Sequence, residues 1–77
     1  MFKTTYPIIG GKYEHYKGGV YEVVSLAQHT ETNEAMVIYK SLLFGTIYAR
    51  PLTSWNEPVT YETFIGQTST RFTLIEK

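Results

Sequence analysis

Apolar and polar positions alternate with a period of two along most of this chain, and β-branched and aromatic residues dominate the alternating segments. A period of two is typical of strands that bury one face, whereas an amphipathic helix repeats every ~3.6 residues. The pattern therefore predicts an almost entirely β structure. The predicted strands cover residues 20–29, 35–42, 46–50, 59–64 and 70–75.

Turn-forming residues separate these strands. Gly18 and Gly19 precede the longest strand, Asn33 lies in the polar segment after it, and Gly45 separates the next two strands. Glycine adopts positive φ without steric cost and asparagine tolerates it. We therefore expect tight turns at all three places.

A short helix is predicted where the third strand ends. Pro51 lacks the amide hydrogen that a sheet ladder requires, so it should terminate that strand. Residues 52–57 can then form one helical turn with Thr53 as its N-cap, and Pro58 closes it. Five or six short strands and one helical turn predict an all-β fold, a small SH3-like barrel. The spacing does not separate it cleanly from an oligonucleotide-binding-type barrel.

Composition indicates a small domain that depends on dense packing. The chain has 77 residues and no cysteine, so neither a disulfide nor a thiolate metal site can reinforce the fold. It has 7 Tyr, 4 Phe and 1 Trp, which can bury large areas at modest entropic cost. We expect a single domain over residues 11–77, after an N-terminal extension over residues 1–10.

The charge balance bears on partners and location. Seven Lys and Arg oppose seven acidic residues, all of them Glu, so the formal net charge is zero. Bulk nucleic-acid binding is therefore not expected. Low net charge favours self-association. A homodimer remains an alternative. Its contact would be formed by the face of Val24 and Leu26 and by Phe2, Tyr6, Ile8 and Ile9. No segment is apolar for long enough to span a membrane, and we expect a cytoplasmic protein without a membrane partner.

Side-chain alternation assigns the faces of the longest strand. Tyr21, Val23 and Ala27 share one face with His29, and we expect that face to be the core side. Val24 and Leu26 lie on the other face, so both faces are partly apolar. A long strand with two apolar faces is typical of one that bends between the two sheets of a barrel.

Two histidines, a carboxylate and a guanidinium form the candidate polar site. If the run that holds Tyr13, His15 and Lys17 is extended and lies beside the strand over residues 20–29, His15 and His29 converge near one end of the barrel, together with Glu31 and Arg50. In one reading, His29 is oriented by Glu31 and exchanges protons near neutral pH. In the other, it is a structural hydrogen-bonding hub that fixes a turn.

Several motifs together resemble a known family. They are Gly11-x-Tyr13-x-His15-Tyr16-Lys17-Gly18-x-x-Tyr21-x-Val23, Ala27-x-His29-Thr30-Glu31-Thr32, Val37-x-Tyr39, Arg50-Pro51, Glu57 and Arg71-Phe72. The pattern, over residues 11–72, is similar to the small bacterial family known as domain of unknown function 1653. The resemblance implies a compact β-barrel and implies no activity. This chain departs from the family at Tyr48-Ala49, where Trp-Val is usual, and at Trp55, where Phe is usual.

The candidate binding residues combine aromatic rings with basic, imidazole and carboxylate groups. They are Tyr13, His15, Lys17, His29, Glu31, Tyr39, Arg50 and Trp55. Rings beside a basic residue can hold a base or a methylated ammonium group, although the same rings can simply fill a small core. Arg50 can grip an anion or a carbonyl with its planar fork, or form a structural ion pair with Glu14, Glu31 or Glu57.

These features favour a small non-enzymatic binding module for a protein, a peptide or a nucleotide-like ligand. We expect no cofactor and assign no catalytic residue, although catalysis stays open. The alternative is a small hydrolase or transferase that uses His29 with Glu31 and Arg50. A zinc site of His15, His29 and Glu31 is a weaker alternative, because no spacing puts these ligands on one rigid element.

Overall fold

The computed structural model describes residues 6–56, 58–60 and 68–77. Within them are seven strands and one short helix: β1 Lys12–His15, β2 Val20–Gln28, β3 Ala35–Ser41, β4 Ile47–Pro51, α1 Leu52–Asn56, β5 Pro58–Thr60, β6 Thr68–Thr70 and β7 Phe72–Glu76. Five strands form one antiparallel sheet in the order β4-β3-β2-β1-β7, and β5 pairs with β6 separately. The prediction of a mostly β fold with one short helix is confirmed.

The five-stranded sheet is open in the part of the chain that the structure describes. Strands β4 and β7 are its two edges, and no pairing joins them there. The sheet is therefore not closed into the SH3-like barrel that the sequence predicts. No helix among the described residues is long and apolar enough to cross a membrane.

The predicted turns are confirmed. Asn33 has φ 62° between β2 and β3, Gly18 and Gly19 have φ 102° and 88° before β2, and Gly45 has φ 74° between β3 and β4. The amide of Gly45 donates a hydrogen bond to the carbonyl of Ser41 over 2.8 Å, which closes the β3–β4 turn. These tight turns bring consecutive strands together as antiparallel neighbours.

The helix forms within the predicted range of residues 52–57, but its first residue precedes the predicted N-cap. Pro51 is the last residue of β4, and α1 starts at Leu52, so Thr53 lies inside the helix and the N-cap assignment was wrong. The fixed φ of proline is close to that of a helix, which lets the turn start directly after Pro51. The side-chain amide of Asn56 donates to the carbonyl of Leu52 over 3.0 Å at the other end.

A β-bulge in β2 overturns the predicted division of its faces. The register with β3 shifts between Val23 and Ser25, so alternation restarts after Val24. Val24 is 43% exposed, Leu26 packs against the core, and Ala27 is exposed. The assignment of Ala27 to the core side was therefore wrong. Val24 and Leu26 do not form a shared apolar face for a dimer.

The end of the chain also differs in detail from the prediction. The strand predicted over 70–75 appears as β6 and β7, with Arg71 between them. The strand predicted over 59–64 overlaps β5, and residues 61–64 lie outside the described residues, as do Phe2 and Glu57. Before β1, the amide of Gly10 donates to the carbonyl of Val23 over 2.8 Å, which attaches this part of the expected extension to the sheet.

The core is small and mostly aromatic. Its buried hydrophobic residues are Tyr13, Val23, Val37, Tyr39, Leu52, Trp55 and Phe72. The rings of Trp55 and Phe72 stack almost parallel, with centroids 3.9 Å apart and planes 5° apart. Tyr13 and Tyr39 each approach Trp55 edge to face, with centroids 5.3 Å away. The tryptophan thus joins α1 to strands β1, β3 and β7.

We expect Phe72→Ala to destabilise the protein by about 3–5 kcal/mol, because it removes the stacking partner of Trp55 and leaves a cavity. A 77-residue domain has a free energy of unfolding of about 4–12 kcal/mol, so this loss is severe. Urea unfolding followed by circular dichroism measures it. The matched control is Phe44→Ala, at a residue 78% exposed, which should change stability by less than about 0.5 kcal/mol. Equal effects of the two substitutions would contradict this description of the core.

Candidate functional site

An open cavity of about 200 Å³ lies on the core side of the sheet, and all five strands contribute to its wall. We call it the aromatic pocket. Its lining residues are His15, Tyr21, Tyr39, Tyr48, Arg50 and Phe72. Strand pairing explains why they meet. His15 is opposite Phe72, and Tyr39 is opposite Tyr48, while Arg50 lies two residues after Tyr48 and so shares its face.

The rings of the pocket wall support each other. Tyr39 and Tyr48 stack with centroids 5.5 Å apart, and Tyr21 meets Tyr39 edge to face at 5.5 Å. Tyr21 also lies edge to face with Phe72 at 6.0 Å. Tyr39 and Phe72 are buried, whereas Tyr48 is 42% exposed. The wall is therefore held by core packing on one side and presents an accessible ring on the other.

The guanidinium of Arg50 is fixed by two hydrogen bonds. Its Nε donates to the hydroxyl of Tyr39 over 3.2 Å, and its NH1 donates to the hydroxyl of Ser54 over 3.0 Å. Its Cζ lies 5.7 Å from the ring centroid of Phe72, within cation–π distance. A guanidinium has five N–H donors, so two of them hold the group while others stay free for a ligand.

Arg50 forms no ion pair with a carboxylate of the described residues. The salt bridge in this part of the chain joins Lys12 Nζ to Glu76 Oε1 over 3.3 Å. The predicted structural pairs of Arg50 with Glu14 and Glu31 are therefore not formed, and Glu57 lies outside the described residues. Neutral hydroxyls position this cation instead, which leaves its charge available.

A second guanidinium is anchored at the same helical residue. Nε of Arg71 donates to the carbonyl of Ser54 over 3.1 Å, and its Cζ lies 6.0 Å from the ring of Tyr16. The sequence prediction missed Ser54 and Arg71 as parts of this region. It also omitted three pocket-lining rings from the candidates: Tyr21, Tyr48 and Phe72. Side chains alternate between the two faces of a strand, so Tyr48, two residues from Arg50 on β4, could have been predicted to share its face.

His15 contributes an imidazole whose tautomer is set by the main chain. The amide of Lys17 donates to Nδ1 of His15 over 3.1 Å. Because Nδ1 accepts this bond, the neutral ring carries its proton on Nε2 and can donate from there. Desolvation by burial lowers the pKa of His15 from 6.5, and the positive charges of Arg50, Arg71 and Lys17 lower this pKa further. The imidazole is therefore held neutral among cations.

His29 does not line this pocket. Its Nδ1 accepts hydrogen bonds from the amides of Glu31 and Thr32 over 3.1 and 3.4 Å, the geometry of a structural hub in the exposed β2–β3 turn. His15 bonds to Gly19 just before β2, and His29 follows its last residue. Nine strand residues at ~3.4 Å each separate the two by ~30 Å. The expected convergence of His15, His29, Glu31 and Arg50 was wrong, because the two histidines lie at opposite ends of β2.

The other candidates divide between core and rim. Tyr13 and Trp55 are buried in the core, where the hydroxyl of Tyr13 accepts a hydrogen bond from the amide of Ile8 over 2.9 Å. Lys17 is exposed in the turn after β1, with Nζ 5.7 Å from the ring centroid of Tyr16. Of the predicted set, the pocket brings together His15, Tyr39 and Arg50, with Lys17 near them.

A metal site is not assembled in the part of the chain that the structure describes. No group of three His, Cys, Asp or Glu side chains there could hold an ion. The weaker alternative of a zinc site fails on geometry, since His15 lies at the opposite end of β2 from His29 and Glu31.

Comparisons with known proteins give a family and a solved fold. The family model described as protein of unknown function DUF1653 matches residues 11–74. The chain is also similar to the crystal structure of a DUF1653 protein from Bordetella bronchiseptica, with 36% sequence identity and a TM-score of 0.70. That similarity covers 87% of this chain and 86% of the other. No curated protein matches the sequence.

We expect the pKa of His15, measured from the NMR titration of its ring protons, to lie below 6.5, because burial and three neighbouring cations disfavour the imidazolium. The unfolded chain then binds more protons at this residue than the folded chain does, so folding becomes less favourable as pH falls below about 6.5. The difference in unfolding free energy between the wild type and His15→Asn should therefore shrink on acidification. A His15 pKa at or above 6.5 would contradict the described environment.

Proposed function

This chain belongs to the DUF1653 family, and from its aromatic pocket we propose that it is a small non-enzymatic binding module. The pocket receives one ring-sized group, either free or carried by a protein, a peptide or a nucleotide-like ligand. The observation that carries the proposal is a guanidinium fixed by hydroxyls at the wall of an open, ring-lined cavity.

The size of the cavity supports a single ring as occupant. An apolar cavity of about 150 Å³ in another protein accepts benzene. A cavity of about 200 Å³ has room for such a ring with a small substituent. The range usual for drug-sized ligands is larger, ~300–1,000 Å³. The module therefore recognises a group rather than enclosing a whole cofactor.

The pocket wall supplies both a surface on which a ligand ring can stack and hydrogen-bond donors that orient the ligand. Tyr48 offers an accessible face, and stacking on such a face is worth about 1–3 kcal/mol for a nucleobase. The free donors of Arg50 supply orientation, because the hydrogen bonds to Tyr39 and Ser54 fix the plane of the guanidinium. A fixed donor loses little entropy on binding, which favours affinity.

The arrangement supports binding over catalysis. A general base needs an orienting partner and access to the proton that it removes. Nδ1 of His15 accepts from a backbone amide instead, and no described carboxylate acts on this imidazole. The alternative hydrolase or transferase built on His29, Glu31 and Arg50 lacks support, because Arg50 is held by Tyr39 and Ser54 and Nδ1 of His29 accepts from amides of its own turn.

Three further features belong to the proposal. The module is an SH3-like barrel in its closed form, which is supported by the pairing of the last strand, β7, with the first strand, β1. It acts in the cytoplasm, away from membranes and without bulk nucleic-acid binding. A homodimer stays a prediction, since low net charge is its support.

Titration of the ¹⁵N-labelled protein with adenosine monophosphate, N-acetyltyrosinamide and indole tests the module. We expect at least one probe to shift the amide signals of Tyr21, Tyr39 and Tyr48. Tyr48→Ala should weaken the binding of that probe by roughly 5- to 150-fold, the equivalent of about 1–3 kcal/mol of stacking.

The matched control is Tyr6→Ala, at a residue 63% exposed and outside the pocket lining, which should leave the affinity unchanged. The absence of shifts at the pocket with all three probes would overturn the proposed function. Equal losses with both variants would also overturn it.

A further inference from the structure

The described charges that act at the aromatic pocket are positive, although the whole chain is neutral. The cations that act on His15 at the pocket are Arg50, Arg71 and Lys17. They come from β4, from the residue before β7, and from the turn after β1. Three separate segments therefore direct positive charge to one end of the aromatic pocket.

The carboxylates of the described residues lie elsewhere. Glu14 and Glu22 each alternate with pocket or core residues of their strands and so face the opposite side of the sheet. Glu31 and Glu34 are at the β2–β3 turn, at the far end of β2. Glu76 pairs with Lys12. No described carboxylate pairs with Arg50, the guanidinium that lines the pocket.

From the position of the Arg50 guanidinium, held by hydroxyls at the pocket wall, we infer that the aromatic pocket selects a ring that carries a negative charge, namely an aryl carboxylate or an aryl phosphate. The inference rests on the proposed function and narrows its ligand. Arg50 donates to the anionic oxygens through its free N–H groups, and His15 donates from Nε2, since its Nδ1 is occupied by the amide of Lys17. The ring of the ligand stacks on Tyr48.

The same geometry disfavours a cationic ligand. Aromatic walls alone could hold a methylated ammonium group. Here the guanidinium of Arg50 already lies over Phe72, 5.7 Å from its centroid, and Arg71 and Lys17 add like charge nearby. A second cation would be repelled by the guanidinium that lines the pocket, whereas an anion is attracted by it.

Isothermal titration calorimetry and NMR with four probes of similar size test the inference. The probes are benzoate, phenyl phosphate, neutral benzamide and cationic benzylamine. We expect at least one anion to bind more than roughly tenfold tighter than benzamide, a difference equivalent to about 1.4 kcal/mol, and benzylamine to bind more weakly still. The better anion identifies carboxylate or phosphate as the preferred group. Its binding should weaken with salt and should raise the pKa of His15, because it offsets the neighbouring cations.

Three variants locate the charge. Arg50→Gln should weaken anion binding more than tenfold, by the loss of its charge-assisted hydrogen bonds. Lys17→Gln removes an exposed charge and should weaken anion binding a few-fold without affecting folding. Lys40→Gln is the matched control, because Lys40 alternates with Tyr39 and lies on the opposite side of the sheet. It should leave anion binding unchanged.

The outcomes separate this inference from the proposed function. Equal affinities for benzoate, phenyl phosphate and benzamide, or a preference for benzylamine, would overturn the anion preference and leave the binding module standing. An equal loss with Lys17→Gln and Lys40→Gln would also overturn it, since a site-specific charge would then play no part. If none of the four probes shifts the pocket signals, the inference fails, whereas the proposed function fails only if adenosine monophosphate, N-acetyltyrosinamide and indole also leave those signals unchanged.

Discussion

The stack of Trp55 on Phe72 is the interaction on which the rest of this structure depends. It joins the short helix α1 to the edge strand β7 at a centroid distance of 3.9 Å. A helix of five residues is not stable by itself, so its position is set by tertiary packing. Once Trp55 is fixed, the preceding residue Ser54 is fixed too. Its hydroxyl holds Arg50 and its carbonyl holds Arg71.

This arrangement links the packing of the core to the position of a side chain that faces the pocket. The guanidinium of Arg50 is bound by a hydroxyl from β3 and a hydroxyl from α1, and neither neutralises it. A carboxylate partner would position the group equally well but would consume its charge. Hydroxyl anchors keep the full charge and several donors available at the pocket. Burial lowers the pKa of His15, and the positive charge that Arg50 retains lowers this pKa further.

The elements were predictable from local pattern, and the site only in part. Period-two alternation and turn residues such as Asn33 are local signals, so β2, β3 and β4 were found close to their observed bounds. The bulge after Val23 has no such signal, because both faces of β2 were already partly apolar. His15 and Arg50 were recognised as site residues, yet His29 was grouped with them. To distinguish His29 from the residues that line the pocket, the strand register must be known. The register depends on long-range pairing and not on residue type.

The central claim is that Arg50 is held rigid before any ligand binds. The most direct measurement is the ¹⁵N relaxation order parameter of its Nε–H group in the free protein. Rigid backbone amides have values of about 0.85, and flexible groups fall below about 0.6. With Tyr39 and Ser54 both anchoring the guanidinium, we predict a value near the rigid limit. A value below about 0.6 would mean that the side chain moves freely, and the account of a pre-formed site would be contradicted.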